Sequence, residues 1–407
     1  MHPRLTLAAS VVLAASLVFT ACASSRDARR AEPYDLSAAA DSMARAVSSE
    51  GADLPSLRAG IESYLSFIAE ERGPEAGAAL AAMRKPGDLA PFLAAKYGTT
   101  TYQEAIAAFM NWASHPKGPR WDPSAASRLE TEHFVVVAMP GTPGYADRDY
   151  VARLLEAQAK NVGDLIGPNA KMAEAAARNL ASIRGRKIEV DLPPDPRGLK
   201  DFGDTANSSY GLVADESGLG LTASIVLPYY NAFSSAILTH EETHFLDIFF
   251  KLDARSAPPL PAADAPKSEK EAAMKAFAAW AGPTFEAIVP SDKGFGEGFA
   301  EYAAMRFSPL HRAFFPDPDA LLRVMCARVP PLPDVLAASP TVKDRMVRVV
   351  RYTELNSLVT YLIDHYGLER FLDFYMSAPV SEDRFTQVYG EGYKAIQAEW
   401  RAARPPR

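Results

Sequence analysis

His240-Glu241-Glu242-Thr243-His244 is the stretch on which the reading of this chain turns. On an α-helix, residues i and i+4 stand one turn apart on the same face, so two imidazoles at this spacing can offer nitrogens to a single metal ion. Zinc suits such a pair, with Zn–N distances of about 2.0–2.1 Å. Glu241 falls beside the two histidines, where a carboxylate can take a proton from an activated water. The flanks predict a helix. No proline or glycine occurs from Asn231 to Phe250, and Ala236, Ile237, Phe245, Ile248 and Phe249 recur at helical spacing. A histidine pair alone also fits a solvated helix face, and a third ligand separates the two readings. Glu297 stands out, in Gly294-Phe295-Gly296-Glu297-Gly298-Phe299-Ala300-Glu301-Tyr302. It opens a second amphipathic helix, where a glutamate also interacts favourably with the helix dipole. The two segments together are far more specific than either one.

His-Glu-x-x-His followed by Glu-Gly-Phe-Ala-Glu-Tyr resembles the gluzincin metallopeptidases, in particular bacterial peptidase MA-like domains. The resemblance implies one zinc ion per chain, held by His240, His244 and Glu297, with Glu241 as general base. Glu301, four residues after the third ligand, matches the acid that orients the first histidine in thermolysin-like enzymes. Asp247 reads better as a helix-surface aspartate. Related enzymes draw an oxyanion donor from the lobe after the third ligand. That ranks Tyr352 first, ahead of Tyr302, Tyr210 and His311, with a packed helix tyrosine as its alternative. The likeness extends over roughly residues 130–401. It includes an opening strand at Glu130–Met139, Tyr352–Gly367, Tyr389-Gly390 and a closing Ala398–Arg401. One departure is the spacing: 52 residues separate His244 from Glu297. The insertion, residues 252–290, holds a proline-rich run at 257–266 and then a predicted helix over Lys267–Ala281.

The chain opens with one arginine, Arg4, then an apolar run from Leu5 to Phe19, then Thr20-Ala21-Cys22-Ala23. This pattern reads as a secretory signal peptide over residues 1–21. Phe19–Cys22 resembles a bacterial lipobox, which makes Cys22 the lipidated first residue of the mature chain and residues 22–34 a polar tether. Ala23 carries no aspartate retention signal, which by resemblance points to the outer membrane. A soluble periplasmic or secreted protein is the alternative. With Cys22 lipidated, Cys326 has no disulfide partner and reads as a buried thiol on an amphipathic helix.

The net charge of −7 becomes −8 once Arg4 is removed, and no basic cluster stands out beyond the tether, so nucleic acid is an unsuitable partner. About 385 mature residues suffice for one large core and a smaller one. Residues 35–120 read as a helical subdomain, with helical periodicity at Leu57–Ala69 and Tyr102–Ala113 and a boundary at Pro116–Pro123. His115 falls in its last loop. Residues 130–401 read as α+β: strands near 133–139, 187–192, 211–215 and 223–227, helices near 146–166 and 170–183, then a helical C-terminal lobe. His133, in an apolar strand, and His365, on a late helix, read as structural. The strand before the metal helix, Ser224–Tyr230, is expected to offer an edge to an extended peptide because Pro228 is best tolerated there.

The function expected is hydrolysis of peptide bonds in the cell envelope, with a peptide or protein as substrate and the membrane met through the N-terminal lipid. Two alternatives stand beside it: a catalytically quiet peptide-binding lipoprotein and a zinc hydrolase of a non-peptide amide. The intact Glu241 argues against the first, since a retired enzyme has no chemical need for that carboxylate.

Overall fold

The computed structural model describes residues 35–49, 51–52, 54–89, 92, 119–170, 173–174, 184–185, 187–194, 207–215, 218–229, 232–251, 256–259, 261–262, 264–288, 294–314, 319, 345–376 and 380–403. Cys22, the helix at Tyr102–Ala113, His115, most of the helix expected at 170–183 and Cys326 lie outside them. None of the described helices is long and apolar enough to cross a membrane.

Three helices come first: α1 (Ser37–Ser49), α2 (Leu57–Arg72) and α3 (Pro74–Ala82). Ala39, Ala40, Met43 and Val47 recur on one face of α1, and all four are buried. Gly73 makes the sharp corner between α2 and α3. Its φ of 83° is a conformation that side chains resist, and Pro74 then starts α3 with its φ already set.

The sheet follows. Strands β1 (Ser127–Glu130) and β2 (Phe134–Ala138) form an antiparallel pair, and α4 (Arg148–Ile166) then packs behind β2. The remaining strands are β3 (Arg184–Gly185), β4 (Ile188–Leu192), β5 (Asn207–Asp215) and β6 (Gly218–Val226). β4 lies parallel between β2 and β6, β3 pairs with β6 further along, and β5 folds back on β6 as an antiparallel hairpin. The structure is mixed α+β with a small mixed sheet. Every residue of β2 is buried, as an interior strand covered on both faces requires. Phe134, Val136 and Ala138 face the helices, and Val135 and Val137 cluster with Trp121 and Met139 on the other side.

The strand before the metal helix is not an edge. β6 has β4 and β3 on one side and β5 along its whole length on the other, so the expectation of a free edge at 224–230 is corrected. Pro228 is tolerated for a different reason: it lies past the ladder. Leu227 N–H donates to the Asp191 carbonyl and Tyr229 N–H to the Pro193 carbonyl, so the proline falls between two residues that bond toward β4. β5, whose one partner among the described residues is β6, takes the edge position instead.

A 3₁₀ turn, Ala232–Ile237, leads into α5 (Leu238–Lys251), which carries the histidine pair. The insertion forms α6 (Lys267–Ile288), longer than predicted because the helix continues through Pro283. Then come α7 (Phe295–Phe307), α8 (Pro309–Phe314), α9 (Arg345–Tyr366), α10 (Leu368–Tyr375), α11 (Glu382–Tyr389) and α12 (Tyr393–Ala403).

Two apolar clusters divide these elements, and they do not part at residues 116–123. The first joins the inner faces of α1 and α2 to the sheet, to α4, and to Leu238 and Phe245 of α5. The second unites Phe295, Phe299 and Tyr302 of α7 with α9–α12 and the end of α4. The N-terminal helices thus share a core with the sheet, α5 and α7 are rooted in different clusters, α4 takes part in both, and Leu310 of α8 returns to the first.

Candidate metal centre

The helical spacing of His240 and His244 brings their rings edge to face, with centroids 4.7 Å apart and Nε2 atoms 3.0 Å apart. Glu297 reaches the same point from the first turn of α7. Gly294, at a φ of 93°, lets the chain turn directly into that helix. Gly298 lets α7 press against α9, because a Cβ there would meet the Leu355 carbonyl oxygen at 2.8 Å. Glu297 Oε2 lies 3.2 Å from His240 Nε2 and 3.1 Å from His244 Nε2. Ligands about 2.0–2.1 Å from a tetrahedral zinc ion sit about 3.3 Å from one another, so this triangle of donors fits such an ion. His240 and Glu297 are buried and His244 nearly so, and the site straddles the boundary between the two cores.

Charge is arranged around the triangle as a buried ligand set requires. Burial alone would lower the His240 pKa, but Glu297 and Glu301 outweigh it and raise the ring well above its ordinary range. His244 is also raised: burial opposes the proton and Glu297 overrides it. Burial pushes the Glu297 carboxyl up, yet the two imidazoles hold it far below the usual carboxylate range. Glu301 lies one turn further along α7, and its Oε1 is 3.0 Å from His240 Nδ1. Once the ring is neutral, a proton kept on Nδ1 by that carboxylate would turn the Nε2 lone pair toward the triangle. Glu301 is also lowered: burial raises it and His240 more than compensates. Glu241 is buried beside the pair, and its charge acts on His244.

The remaining sequence candidates separate clearly. Tyr352 is buried on α9, its ring centroid 6.2 Å from that of His240. Tyr302 is on the wrong face: it stacks on Phe299 in the second core, and its hydroxyl accepts from Arg306 Nη1 at 3.3 Å. His311 lies near Glu301 and His240, with its ring bonded to the Ala236 carbonyl, and burial keeps it below its usual pKa. Tyr210 belongs to β5 and Asp247 to α5, but their side chains lie outside the described set. His133 sits in the bend before β2 rather than in the strand. Glu156 of α4 clamps it, taking the backbone N–H at 2.8 Å and the ring at 2.7 Å. Glu132, His133 and Glu156 are close enough to form a second metal group, but Glu156 already accepts from Thr131 Oγ1 at 2.6 Å besides its two bonds to His133, and both Glu132 and His133 are exposed. His365 stacks on Tyr361, exposed at the end of α9.

Sequence reasoning passed over Glu242. The carboxyl is fully buried on the back of α5, neither oxygen meets a partner among the described residues, and burial followed by the Glu156 charge raises its pKa well above the usual range. No family model, curated protein or solved structure matches the chain.

Proposed function

We propose that this protein is a zinc-dependent metallopeptidase of the gluzincin type, with a thermolysin-like arrangement of a sheet-bearing half and a helical half on either side of the metal. The single observation that carries the proposal is the convergence of His240 Nε2, His244 Nε2 and Glu297 Oε2 within 3.0–3.2 Å of one another, with Glu241 buried alongside. Three protein donors with an open position are the catalytic rather than the structural zinc arrangement. Zinc bound by them supplies Lewis acidity toward a carbonyl.

The chain's own groups do the rest. Glu241 takes a proton from the attacking water and returns it to the leaving amine. Glu301 keeps the Nδ1 proton of His240 in place, so that the ring presents a lone pair through Nε2. Tyr352, stationed by His240, donates to the oxyanion that develops on the scissile carbonyl. The outer edge of β5, beside α5, offers backbone groups to an extended peptide. The export pattern of residues 1–22 sets this chemistry in the cell envelope, with Cys22 as lipid anchor.

Glu241→Gln tests the proposal. The variant is expected to retain one zinc per chain by elemental analysis and to lose peptide cleavage by about 10²–10⁴-fold. Wild-type protein purified without chelator and free of zinc would sink the metal assignment. Cleavage by the variant at the wild-type rate would sink the mechanism.

A further inference from the structure

His240 enters the site from a 3₁₀ turn, and the chain leading into that turn is held by a buried polar joint separate from the metal ligands. At its centre is Asp147, fully buried just before α4. Its Oδ1 accepts the Ser56 backbone N–H at 2.8 Å, and its Oδ2 accepts both the Ser56 hydroxyl and Tyr229 Oη, the latter at 2.8 Å. Ser56 is the residue immediately before α2, so the carboxylate ties the start of α2 to the start of α4 and to the chain leaving β6. Tyr229 is itself fully buried. The Ser235 hydroxyl donates to the Ala232 carbonyl at 2.7 Å and so closes the turn, which begins three residues after Tyr229. Ser235 is five residues before His240. The same turn is gripped from α2 a second time, by Tyr64 packed edge to face on Phe233 with centroids 5.9 Å apart.

We propose that Asp147 is a positioning residue for the metal centre. Through Tyr229, three residues before the turn, and beside the Tyr64–Phe233 contact on the turn itself, it fixes the chain that delivers His240, which makes the N-terminal helices a working part of the site rather than a spacer. The inference rests on the metal reading above. A buried carboxylate with three donors holds its partners firmly, because each donor it loses leaves charge uncompensated in a low-dielectric interior. A register or tilt error at Ser235 passes directly into α5, since the 3₁₀ turn joins that helix without a break.

The test uses the full chain, with Tyr229→Phe and Ser56→Ala as the primary variants and Asp147→Ala against Asp147→Asn as a rescue pair. Amide hydrogen exchange is followed in the zinc-free and zinc-loaded proteins, and zinc affinity is measured by competition with a chelator. Tyr229→Phe and Ser56→Ala are each expected to speed exchange across 232–244 and weaken zinc binding by about tenfold, leaving α9–α12 unchanged. Asn at 147 is expected to restore part of what Ala loses. Exchange accelerated equally throughout the chain, or unaltered zinc affinity with a lowered melting temperature, would reduce Asp147 to ordinary structural glue and overturn the inference. Should wild-type protein bind no zinc, the metal reading fails by itself. Exchange across 232–244 in the zinc-free variants then still decides whether the joint positions the turn.

Discussion

Zinc binding to this site should release a proton, and the number can be worked from the geometry. His240 Nε2 and His244 Nε2 are 3.0 Å apart, and both lie within 3.2 Å of one carboxylate oxygen. Glu297, joined at His240 by Glu301, raises both rings above their ordinary pKa, and because each charged ring opposes protonation of the other, one proton is expected in so narrow a gap. A raised histidine pKa means the protonated form persists at neutral pH, and zinc must displace that proton before Nε2 can bind. Below the raised pKa, apparent affinity therefore falls about tenfold per pH unit, or about 1.4 kcal/mol for each proton displaced. Between pH 8 and pH 6 the loss approaches 100-fold if the raised value lies above that window. Calorimetric titration in two buffers of different ionisation enthalpy counts the protons directly, and about one per zinc is expected at pH 7. Glu297→Gln removes the stabilising charge. It should weaken binding and also flatten the pH slope above about pH 6.5, the ordinary histidine value. Zero protons released by wild type, or an unchanged slope in Glu297→Gln, would refute the reasoning.

Three other expectations follow from the same contacts. Glu301→Ala frees His240 Nδ1 and should reduce zinc affinity about 10–100-fold while the melting temperature of the metal-free protein shifts little, measured by chelator competition and calorimetry. Gly298→Ala places a Cβ against the Leu355 carbonyl oxygen at 2.8 Å and Val359 Cγ2 at 2.9 Å. The helix-propensity gain of about 1 kcal/mol is set against an overpacking cost of about 1–3 kcal/mol, so zinc affinity should fall more clearly than stability as α7 shifts with Glu297. Cys22→Ala should abolish incorporation of labelled fatty acid into the protein, and label retained in that variant would remove the anchor assignment.

What the sequence disclosed and what it hid follow a physical division. His240 and His244 were legible because the i, i+4 relation is a local property of the helix, and Glu297 because a glycine-flanked glutamate at a helix start is local too. The edge strand was misjudged because pairing is not local. β5 and β6 are rich in glycine and serine, so only their apolar C-terminal halves announced themselves, and nothing in Pro228 reveals that β5 already covers β6. Tyr302 follows the motif closely in sequence, yet the helix turns it into the second core, where Arg306 takes its hydroxyl. Asp147 was invisible for the same reason in stronger form. Its partners Ser56 and Tyr229 are 91 and 82 residues away, and alone it reads as an ordinary aspartate before a helix.

The placement of the ligands across two cores makes the metal more than a reagent. His240 and His244 belong to a helix rooted in the sheet-bearing core, and Glu297 to a helix rooted in the C-terminal one. On the proposed reading a bound zinc would tie the two halves further together, and at a free concentration 1,000 times its dissociation constant it would stabilise the joined form by about 4 kcal/mol. Without metal, the histidine–Glu297 ion pair adds to the packing of α4, α5 and α7 that already holds the two cores together, and above about pH 6.5 its pH dependence has the opposite sign to that of a zinc complex. The depressed Glu297 carboxyl contributes stability that is present above its unfolded value and lost as pH falls through the folded one. The raised histidines contribute stability that is complete below their unfolded value and lost as pH rises through the folded one. Metal-free protein is thus best joined in the window between about pH 4.5 and pH 6.5, bounded by the ordinary glutamate and histidine values. As pH rises on through the raised histidine pKa, loss of the ring proton leaves a buried Glu297 charge facing neutral rings. Melting of the chelator-treated protein should fall from pH 6 to pH 9 while that of the zinc-loaded protein holds or rises, so the zinc-induced shift widens with pH. Parallel curves would show that the ion pair does not couple the halves and that each core stands without it.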